Sequence, residues 1–358
     1  MKKRILVAPL NWGLGHATRC IPIINALLRY NYIPIIASDG IALDLLKKEF
    51  PKLTFDKLPS YNVTYSKKAS LFKWKLLIDS PKLLNAINEE KKATKLLIEK
   101  HNIDGIISDN RLGISSKKVP SVFITHQLNV LSGSTTWLST KIHQKIIRKF
   151  NECWVPDNKH TPNLSGKLGH VENTSLPVKY LGPLSRFKKS KQLNNYKLMV
   201  LLSGPEPQRS LLEEKLLNEL KSFNAPILFV RGVIEEKESI TKIDHFTIYN
   251  FMKSEDLCLA INTSEVILSR SGYTTVMDLA KIGKKAFFIP TPGQFEQEYL
   301  AKMLDKLKLV PTCNQDDFKI DLLKKIKDYK GLDIEYSQPN FKILFRLFER
   351  KRELTPNS

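Results

Sequence analysis

Residues 264–280 read SEVILSRSGYTTVMDLA. The run SEVIL at 264–268 is mainly apolar, which predicts a strand, and the apolar residues Val276, Leu279 and Ala280 recur at helical spacing. Polar residues and Gly272 lie between these two patterns, as is typical of a tight turn. The segment therefore predicts a strand, a short loop and a helix in succession, the repeating unit of α/β domains.

The loop within this segment is suited to binding a nucleotide. It leaves the first backbone N–H groups of the helix unpaired beside the positive end of the helix dipole, which favours a diphosphate. Thr274 and Thr275 add hydroxyl donors, and Asp278 places a carboxylate one turn into the helix, where it could accept hydrogen bonds from both ribose hydroxyls. The alternative is an ordinary strand-to-helix turn in which Asp278 is a solvated acid near the helix N-terminus.

The order of residues here resembles the donor-nucleotide signature of the MurG-like glycosyltransferases, which are glycosyltransferase family 28 and its relatives. The resemblance covers SRSG at 269–272, Asp278, the apolar run FFIP at 287–290, and the QEY that begins at Gln297. It implies the GT-B fold, an α/β architecture in which two Rossmann-like doubly wound domains face each other across a cleft. Asp278 stands where the peptidoglycan enzyme has Glu, and Glu298 stands where that enzyme has a second Gln.

The resemblance also implies roles for side chains of the second domain. The acid of the signature holds the ribose, the pair after the proline holds the sugar, and the segment around Met252 contacts the base. The loop SGPEPQRS at 203–210 replaces a glycine-rich loop of the peptidoglycan enzyme, so Arg209 is expected to supply charge to the phosphates. The expected nucleotide-binding residues are Ser203, Gly204, Arg209, Met252, Ser271, Gly272, Tyr273, Thr274 and Asp278, and the expected sugar-binding residues are Gln294, Gln297 and Glu298.

A second glycine loop follows the first apolar run of the chain. Residues 5–9 predict a buried strand, residues 11–19 (NWGLGHATR) interrupt it, and helical periodicity follows. A Rossmann fingerprint requires a third glycine at position 18, which is Thr18. The pattern Gly-x-Gly-His-x-x-Arg instead resembles the first loop of GT-B enzymes related to MurG, in which the histidine lies near the reacting centre.

Two side chains of the first domain are candidates for a general base. His16 is the first, and the alternative is a histidine at a helix start with no chemical role. Asp109 follows the predicted strand 103–108 at the carboxyl edge of the sheet, and the alternative for it is a turn aspartate. The other residues expected to line the acceptor side or the cleft are Gly13, Gly15, Arg19, His126, Gln127 and Arg186.

The length of 358 residues predicts two domains, each large enough to bury a core. An acceptor-side domain is expected at 1–187 and a nucleotide-sugar donor domain at 196–332, joined by the polar hinge 188–195. The resemblance implies that a final helix at 338–352 packs back onto the first domain.

The chain is strongly basic, with 57 Lys and Arg against 36 Asp and Glu and a formal net charge of +21. Such an excess favours anionic partners, although solubility alone is an alternative explanation. No zinc-finger spacing or RRM-type motif occurs, so nucleic acid is not expected as a partner. The segment YSKKASLFKWKLLI at 65–78 mixes basic and aromatic residues, which suits contact with an anionic membrane surface, although a helix with solvated lysines is equally compatible.

The four cysteines are widely separated, which predicts reduced thiols in a cytoplasmic protein, peripheral on the inner face of the membrane if the basic segment binds lipid. The resemblance to the MurG-like glycosyltransferases implies transfer of a hexosyl or N-acetylhexosaminyl group from a UDP-sugar to a lipid-linked or glycan acceptor of the cell envelope, with inversion. No Asp-x-Asp occurs, so no divalent metal or other cofactor is expected. The alternatives are a UDP-sugar epimerase or hydrolase of the same fold, and a catalytically inactive GT-B binding protein.

Overall fold

The computed structural model describes residues 2–61, 80–172, 174–233 and 235–349. These residues form two compact units, one made of the chain up to Leu184 together with the part from Ser337 onwards, and the other of Ser185–Tyr336. The basic segment 65–78 lies outside the described residues, so its predicted membrane contact stays a prediction.

The first unit is built on a parallel sheet of seven strands in the order β3-β2-β1-β4-β5-β6-β7. The strands are β1 Arg4–Pro9, β2 Ile33–Ser38, β3 Thr54–Lys57, β4 Gly105–Asp109, β5 Ser121–Ile124, β6 Glu152–Val155 and β7 Val178–Tyr180. The helices between them are α1 Gly15–Arg29, α2 Gly40–Glu49, α3 Ser80–His101 and α4 Thr136–Ile147.

The switch point of this sheet lies between β1 and β4. The chain builds outward from β1 through β2 to β3, and then returns to the other side of β1 for β4 and the strands after it. Pro9 and Asp109 pair at the carboxyl ends of β1 and β4. Because the helices that follow the two neighbouring strands diverge at such a point, open α/β sheets bind ligands there.

The second unit is built on a sheet of six strands in the order β10-β11-β9-β8-β12-β13. The strands are β8 Tyr196–Leu201, β9 Ile227–Val230, β10 Ile240–Ile243, β11 Phe246–Tyr249, β12 Ser264–Ser269 and β13 Lys285–Phe288, and the helices are α5 Gln208–Glu219, α6 Ser254–Asn262, α7 Tyr273–Ile282 and α8 Phe295–Lys306. Only β10 and β11 pair antiparallel among the described strands of this sheet. The switch point lies between β8 and β12, where Leu201 pairs with Ser269.

The last described helix, α9 Phe341–Glu349, belongs to the first unit. Its apolar face supplies Phe345 and Phe348 to the core that contains β1 and α1. The Phe345 ring packs edge-on against Tyr32, with 5.4 Å between ring centroids. A Cβ atom at Gly105 would lie 2.3 Å from the Phe348 ring, so the absence of a side chain at Gly105 lets α9 pack this closely.

Pro22 lies within α1, which begins at Gly15 and whose hydrogen bonding starts where Thr18 N donates to Leu14 O at 2.9 Å. After β13 and α8, the lysine-rich segment Ile320–Asp328 forms a 3-10 helix. Most lysines of this segment stay exposed while Ile326 is buried.

Candidate functional site

His16 lies in the first turn of α1, directly after the glycine loop that follows β1. Gly13 in this loop has a φ of +73°, a conformation that side chains disfavour, which explains the glycine. Gly15 is the first residue of α1. The loop therefore carries the chain from the carboxyl end of β1 to His16, beside the switch point of the sheet.

His16 is paired with Asp109, the last residue of β4. The distance between His16 Nδ1 and Asp109 Oδ1 is 2.7 Å. Arg19 Nη2 also lies 3.0 Å from His16 Nδ1, and this nitrogen cannot accept from Arg19 while it donates to Asp109. We assign the imidazole proton to Nδ1, because the contact with Asp109 is the shorter one and a carboxylate can only accept, which leaves the lone pair on Nε2. The His16 side chain is 14% exposed and that of Asp109 is fully buried. The pair thus has the form of a partly accessible base oriented by a buried carboxylate.

Arg19, one turn after His16 in α1, joins this pair to a second histidine. It is 1% exposed, its Nε donates to Asp109 Oδ2 at 2.7 Å, and its Nη2 donates to Asp109 Oδ1. Its Nη1 lies 3.1 Å from His126 Nδ1. Because arginine only donates, His126 accepts at Nδ1 and carries its own proton on Nε2. The sequence predicted all four residues individually, and the fold brings them into one cluster.

The charges of this cluster distinguish its two candidate bases. Burial alone would raise the pKa of Asp109, but Arg19 and His16 outweigh it and lower this pKa to about 2. Burial lowers the pKa of His16, and Asp109 offsets only part of that effect. At neutral pH His16 is therefore neutral with an available lone pair, whereas Asp109 is too weak a base to accept a proton efficiently.

The other residues expected on the acceptor side are not all in this unit. Gln127 follows His126 after β5, and its backbone N donates to Thr125 Oγ1 at 3.0 Å. Arg186 lies in the second unit, where it acts electrostatically on Asp278.

The N-terminus of α7 follows β12 at the switch point of the second sheet and is open at Gly272. Gly272 is the residue before the helix, and a Cβ atom built on it would meet no atom within 4 Å. Its φ of −64° is one that any residue adopts, so neither packing nor backbone strain within the chain requires glycine here. The backbone N–H groups of the first turn can therefore be approached closely, as a phosphate requires.

Asp278 is on α7 and is 9% exposed. Its Oδ1 accepts a hydrogen bond of 2.6 Å from Ser185 Oγ, and no other described residue bonds to its carboxylate. Burial raises the pKa of Asp278 to about 6, although Arg186 and Ser185 act in the opposite direction. Ser185 was not predicted as a site residue, because nothing in the sequence indicates that it contacts a helix so far along the chain.

The predicted sugar-binding side chains support the loop that follows β13. Gln297 Oε1 accepts from Thr291 N at 2.9 Å, and Glu298 Oε1 accepts from Gly293 N at 2.9 Å. Gln294 is the residue that precedes α8. These contacts fix the shape of the loop beside the open N-terminus of α7.

The remaining predicted nucleotide-binding residues differ in how well their position suits that role. Ser203 and Gly204 are exposed in the loop after β8, and Met252 is half-buried before α6, whereas Tyr273 is buried and Thr274 half-buried at the start of α7. The buried Ser271 hydroxyl donates to Gln297 O at 2.8 Å. Arg209 donates to Glu206 Oε1 at 2.6 Å and also pairs with Glu213, so two carboxylates already balance the charge expected to serve phosphates.

Most of the second unit is similar to a known family of protein domains. Residues 208–330 match the glycosyltransferase family 28 C-terminal domain. This range contains the open N-terminus of α7, Asp278 and the loop braced by Gln297. Most of the candidate nucleotide residues therefore lie in the part of the chain that resembles the C-terminal domain of glycosyltransferase family 28, whereas Ser203 and Gly204 precede it.

Two curated relatives show the extent of the similarity. The UDP-N-acetylglucosamine--N-acetylmuramyl-(pentapeptide) pyrophosphoryl-undecaprenol N-acetylglucosamine transferase of Aquifex aeolicus is 26% identical over 345 residues, which cover 92% of this chain and 93% of the relative. The protein of that name from Buchnera aphidicola is 27% identical over 223 residues, which cover 59% of this chain and 57% of the relative. The match to the second relative thus spans just over half of its length.

A solved structure shows the same fold. The crystal structure of MurG from Acinetobacter baumannii matches with a TM-score of 0.56 at 15% sequence identity, covering 98% of this chain and 99% of that chain. The predicted α/β class with two Rossmann-like doubly wound domains of the GT-B type is confirmed.

Proposed function

We propose that this MurG-like protein of the GT-B fold is a glycosyltransferase that moves a sugar from a UDP-sugar to an acceptor hydroxyl. The observation that carries the proposal is the pair formed by His16 and Asp109 at the switch point of the first sheet. This pair gives the first unit a neutral general base. The second unit has the loop at Gly272 and the carboxylate of Asp278, which suit a nucleotide. The curated relatives are named transferases, which does not favour the epimerase, hydrolase or inactive alternatives.

In the proposed reaction His16 Nε2 takes the proton of the acceptor hydroxyl, and the acceptor oxygen attacks the anomeric carbon of the sugar. The bond between that carbon and the diphosphate oxygen breaks, and its electron pair leaves with UDP, so the configuration is inverted. Asp109 stabilises the imidazolium that forms. The N-terminus of α7 stabilises the negative charge that develops on the diphosphate.

The donor and acceptor classes follow from the sites and from the relatives' names. Asp278 would accept from the ribose hydroxyls, and Gly272 would admit the diphosphate to the helix N-terminus. The names of the relatives specify UDP-N-acetylglucosamine and a pyrophosphoryl-undecaprenol acceptor. They support a hexosyl or N-acetylhexosaminyl donor and a lipid-linked or glycan acceptor of the cell envelope.

A thermal-shift panel of UDP, dTDP, GDP, ADP and their sugar conjugates tests the donor class. A ligand at 100 times its dissociation constant stabilises the folded state by about 2.7 kcal/mol, which gives a measurable shift. We expect UDP and UDP-sugars to give the largest shifts. No shift with any nucleotide would remove the basis for the transferase proposal, and UDP-sugar turnover without acceptor would favour a hydrolase or epimerase.

The Asp278→Asn variant is expected to bind UDP more weakly and to be more stable than the wild type at pH 7 without ligand. The pKa of Asp278 is raised to about 6 in the folded protein, above the value of about 3.9 for an unfolded aspartate. Its ionisation therefore destabilises the fold increasingly as pH rises from about 4 to above 6, by roughly 2 to 3 kcal/mol.

Urea unfolding and UDP titration of wild type and variant between pH 4.5 and 8 measure both effects. We expect the stability difference to shrink as pH falls below 6, and wild-type UDP affinity to fall in the same range because the protonated carboxyl loses an acceptor. Equal UDP affinity in the two proteins at pH 7.5 would argue against ribose binding by Asp278.

A surface of α4 supports the proposal of a peripheral membrane location on the cytoplasmic face. This α4 surface consists of Trp137, Leu138, Lys141, Ile142 and Lys145, all exposed, with Trp137 at 70%. Lys141 Nζ lies 5.4 Å from the Trp137 ring centroid. Apolar side chains beside cations are the pattern of helices that lie in the headgroup region of anionic bilayers.

The charge around the α4 surface is consistent with such a partner. The sequence has no Asp or Glu between Asp109 and Glu152, so α4 and the loops beside it contain only basic charges. No helix in the described part of the chain is both long enough and apolar enough to cross a bilayer. Contact through the α4 surface needs no crossing, because the side chains insert from one side only.

The double variant Trp137→Ala, Ile142→Ala is expected to lose most of the binding to phosphatidylglycerol vesicles that wild type shows at low salt. The lost apolar contacts and the retained lysines predict residual, salt-sensitive binding. Vesicle co-sedimentation measures the effect, with phosphatidylcholine vesicles as the uncharged comparison. Leu96 on α3 is about as exposed as Trp137, so Leu96→Ala serves as the control. This variant should bind the vesicles as wild type does. Equal vesicle binding by the double variant and the wild type would exclude the α4 surface as the membrane contact.

A further inference from the structure

The buried Arg270, between β12 and the open N-terminus of α7, is balanced by no carboxylate in the described part of the chain. It is 1% exposed, and its Nη1 donates to Ile289 O at 3.2 Å and to Pro290 O at 3.0 Å. Its Nη2 donates to Gln208 O at 2.8 Å and to Gln315 Oε1 at 2.6 Å. All these acceptors are neutral. Burial lowers the pKa of Arg270 to about 10, so the side chain stays charged at neutral pH.

Two other buried arginines of the chain have carboxylate partners. Arg19 pairs with Asp109, and Arg111 pairs with Glu90 and Asp39. A buried cation without a counter-charge is costly, because neutral acceptors recover only part of its hydration energy. Of Arg19, Arg111 and Arg270, Arg270 is the one without a carboxylate partner in the described part of the chain. An anion from outside the chain would therefore stabilise its buried charge.

Thr291 is a second incompletely satisfied group at the same edge of the sheet. It is 3% exposed, and its Oγ1 has no hydrogen-bond partner among the described residues. Its backbone N is held by Gln297, and it follows Pro290, whose carbonyl accepts from Arg270. The side chain is thus held by its neighbours, while its buried hydroxyl makes no hydrogen bond within the described part of the chain.

The hydroxyl of Thr291 is directed to the loop after β8. Oγ1 lies 3.9 Å from where a Cβ atom of Gly204 would be, and Gly204 is exposed with a φ of +111°. The loops after β8, β12 and β13 meet here, since these strands are neighbours in the sheet. An unbalanced charge, an unsatisfied donor and an open helix N-terminus therefore converge at one place, which suits an anion with several acceptor oxygens.

We propose that Thr291 Oγ1 donates a hydrogen bond to the β-phosphate of the donor nucleotide, and that Arg270 favours this phosphate electrostatically while positioning the loop that carries Thr291. The inference rests on the proposed function, because it assumes a nucleoside diphosphate at this site. The β-phosphate is the part of the donor that gains charge when the bond to the anomeric carbon breaks and its electron pair leaves with UDP. The subsite thus selects diphosphate over monophosphate and stabilises the leaving group.

The Thr291→Val variant tests the inference by titration calorimetry with UDP and UMP. Valine keeps the shape of the side chain and removes the hydroxyl. We expect the dissociation constant for UDP to rise about 10-fold or more, as the loss of a hydrogen bond to a charged group implies, while that for UMP changes less than about 2-fold. Thr291→Ser, which keeps the hydroxyl, should bind UDP within about 3-fold of wild type.

A stability measurement gives a second readout of opposite sign. Without ligand, Thr291→Val should unfold at a temperature higher than wild type by about 2 to 4 °C, because it no longer buries an unsatisfied hydroxyl. The matched control is Thr263→Val in the same unit. The Thr263 hydroxyl is also buried but donates to Leu259 O at 2.9 Å, so this variant should unfold at a lower temperature and bind UDP as wild type does.

The outcomes separate this inference from the proposed function. Unchanged UDP affinity in Thr291→Val, or an equal loss for UDP and UMP, overturns the β-phosphate contact while leaving the transferase proposal in place. If wild-type protein binds neither nucleotide, the proposed function fails and this inference fails with it. Selective loss of UDP affinity together with higher stability is the result expected.

Discussion

Replacing His16 by alanine is expected to lower the transfer rate about 10²- to 10⁴-fold, the range of general-base contributions. The variant has no group to take the acceptor proton, because the nearby Asp109 has a pKa of about 2 and pairs with Arg19. Release of UDP from UDP-N-acetylglucosamine, with a polyprenyl diphosphate-linked sugar as acceptor, measures the rate. Since burial lowers the pKa of His16, wild-type activity should persist to a lower pH than an ordinary histidine would allow.

UDP binding and a second histidine provide the controls for this experiment. UDP affinity should not change in His16→Ala, because the candidate nucleotide residues belong to the other unit. His101→Ala is the matched control, since His101 also pairs with an aspartate, Asp56. His101 is the last residue of α3 and is not one of the candidate site residues. We expect His101→Ala to retain the wild-type rate. A wild-type rate in His16→Ala would exclude this side chain as the base.

The Asp109→Asn variant is expected to lose about 3 to 5 kcal/mol of unfolding free energy at pH 7, together with most of the activity. It leaves the Arg19 guanidinium, 1% exposed, without the carboxylate that balances it, and removing one partner of a buried ion pair has costs of this size. An asparagine can also present an N–H group to His16 Nδ1, which would move the imidazole proton to Nε2 and abolish the base.

Urea unfolding of wild type and Asp109→Asn between pH 2 and 7 tests this prediction. The folded pKa of Asp109, about 2, is below the unfolded value of about 3.9, so the stability it supplies is complete above pH 4 and is lost as pH falls toward 2. The two proteins should therefore converge in stability below pH 4. Glu99→Gln, which removes an exposed pair with Lys118, should change stability by less than about 1 kcal/mol. A constant difference across this pH range would contradict the assigned charge.

The local elements around both sites could be predicted because they depend on neighbouring residues. The strand, loop and helix expected at 264–280 are β12, the loop at Gly272 and α7. The same holds for β1 and α1, since continuous apolar runs favour buried parallel strands and glycine marks the loops. The α/β class follows from the alternation of these elements, which requires no knowledge of long-range contacts.

The chemistry within the sites depends on contacts between distant segments, and these could not be predicted in detail. His16 and Asp109 were each predicted, but their pairing depends on β4 lying beside β1, an arrangement that sequence spacing does not encode. Arginine side chains are usually exposed at the protein surface, so the burial of Arg19 and Arg270 was not predicted. Thr291 was not predicted either, because an unsatisfied hydroxyl can be recognised only once its neighbours in the fold are known.

The contribution of α9 to the first unit determines the order in which a ribosome can complete the two units. The residues of the second unit, Ser185–Tyr336, all emerge before Phe345 and Phe348 are translated. The second unit can therefore finish folding while the first still exposes the apolar groove that α9 covers. The half of the protein that is synthesised first is thus the half that is finished last, and a nascent chain arrested before residue 341 should bind UDP before it can catalyse transfer.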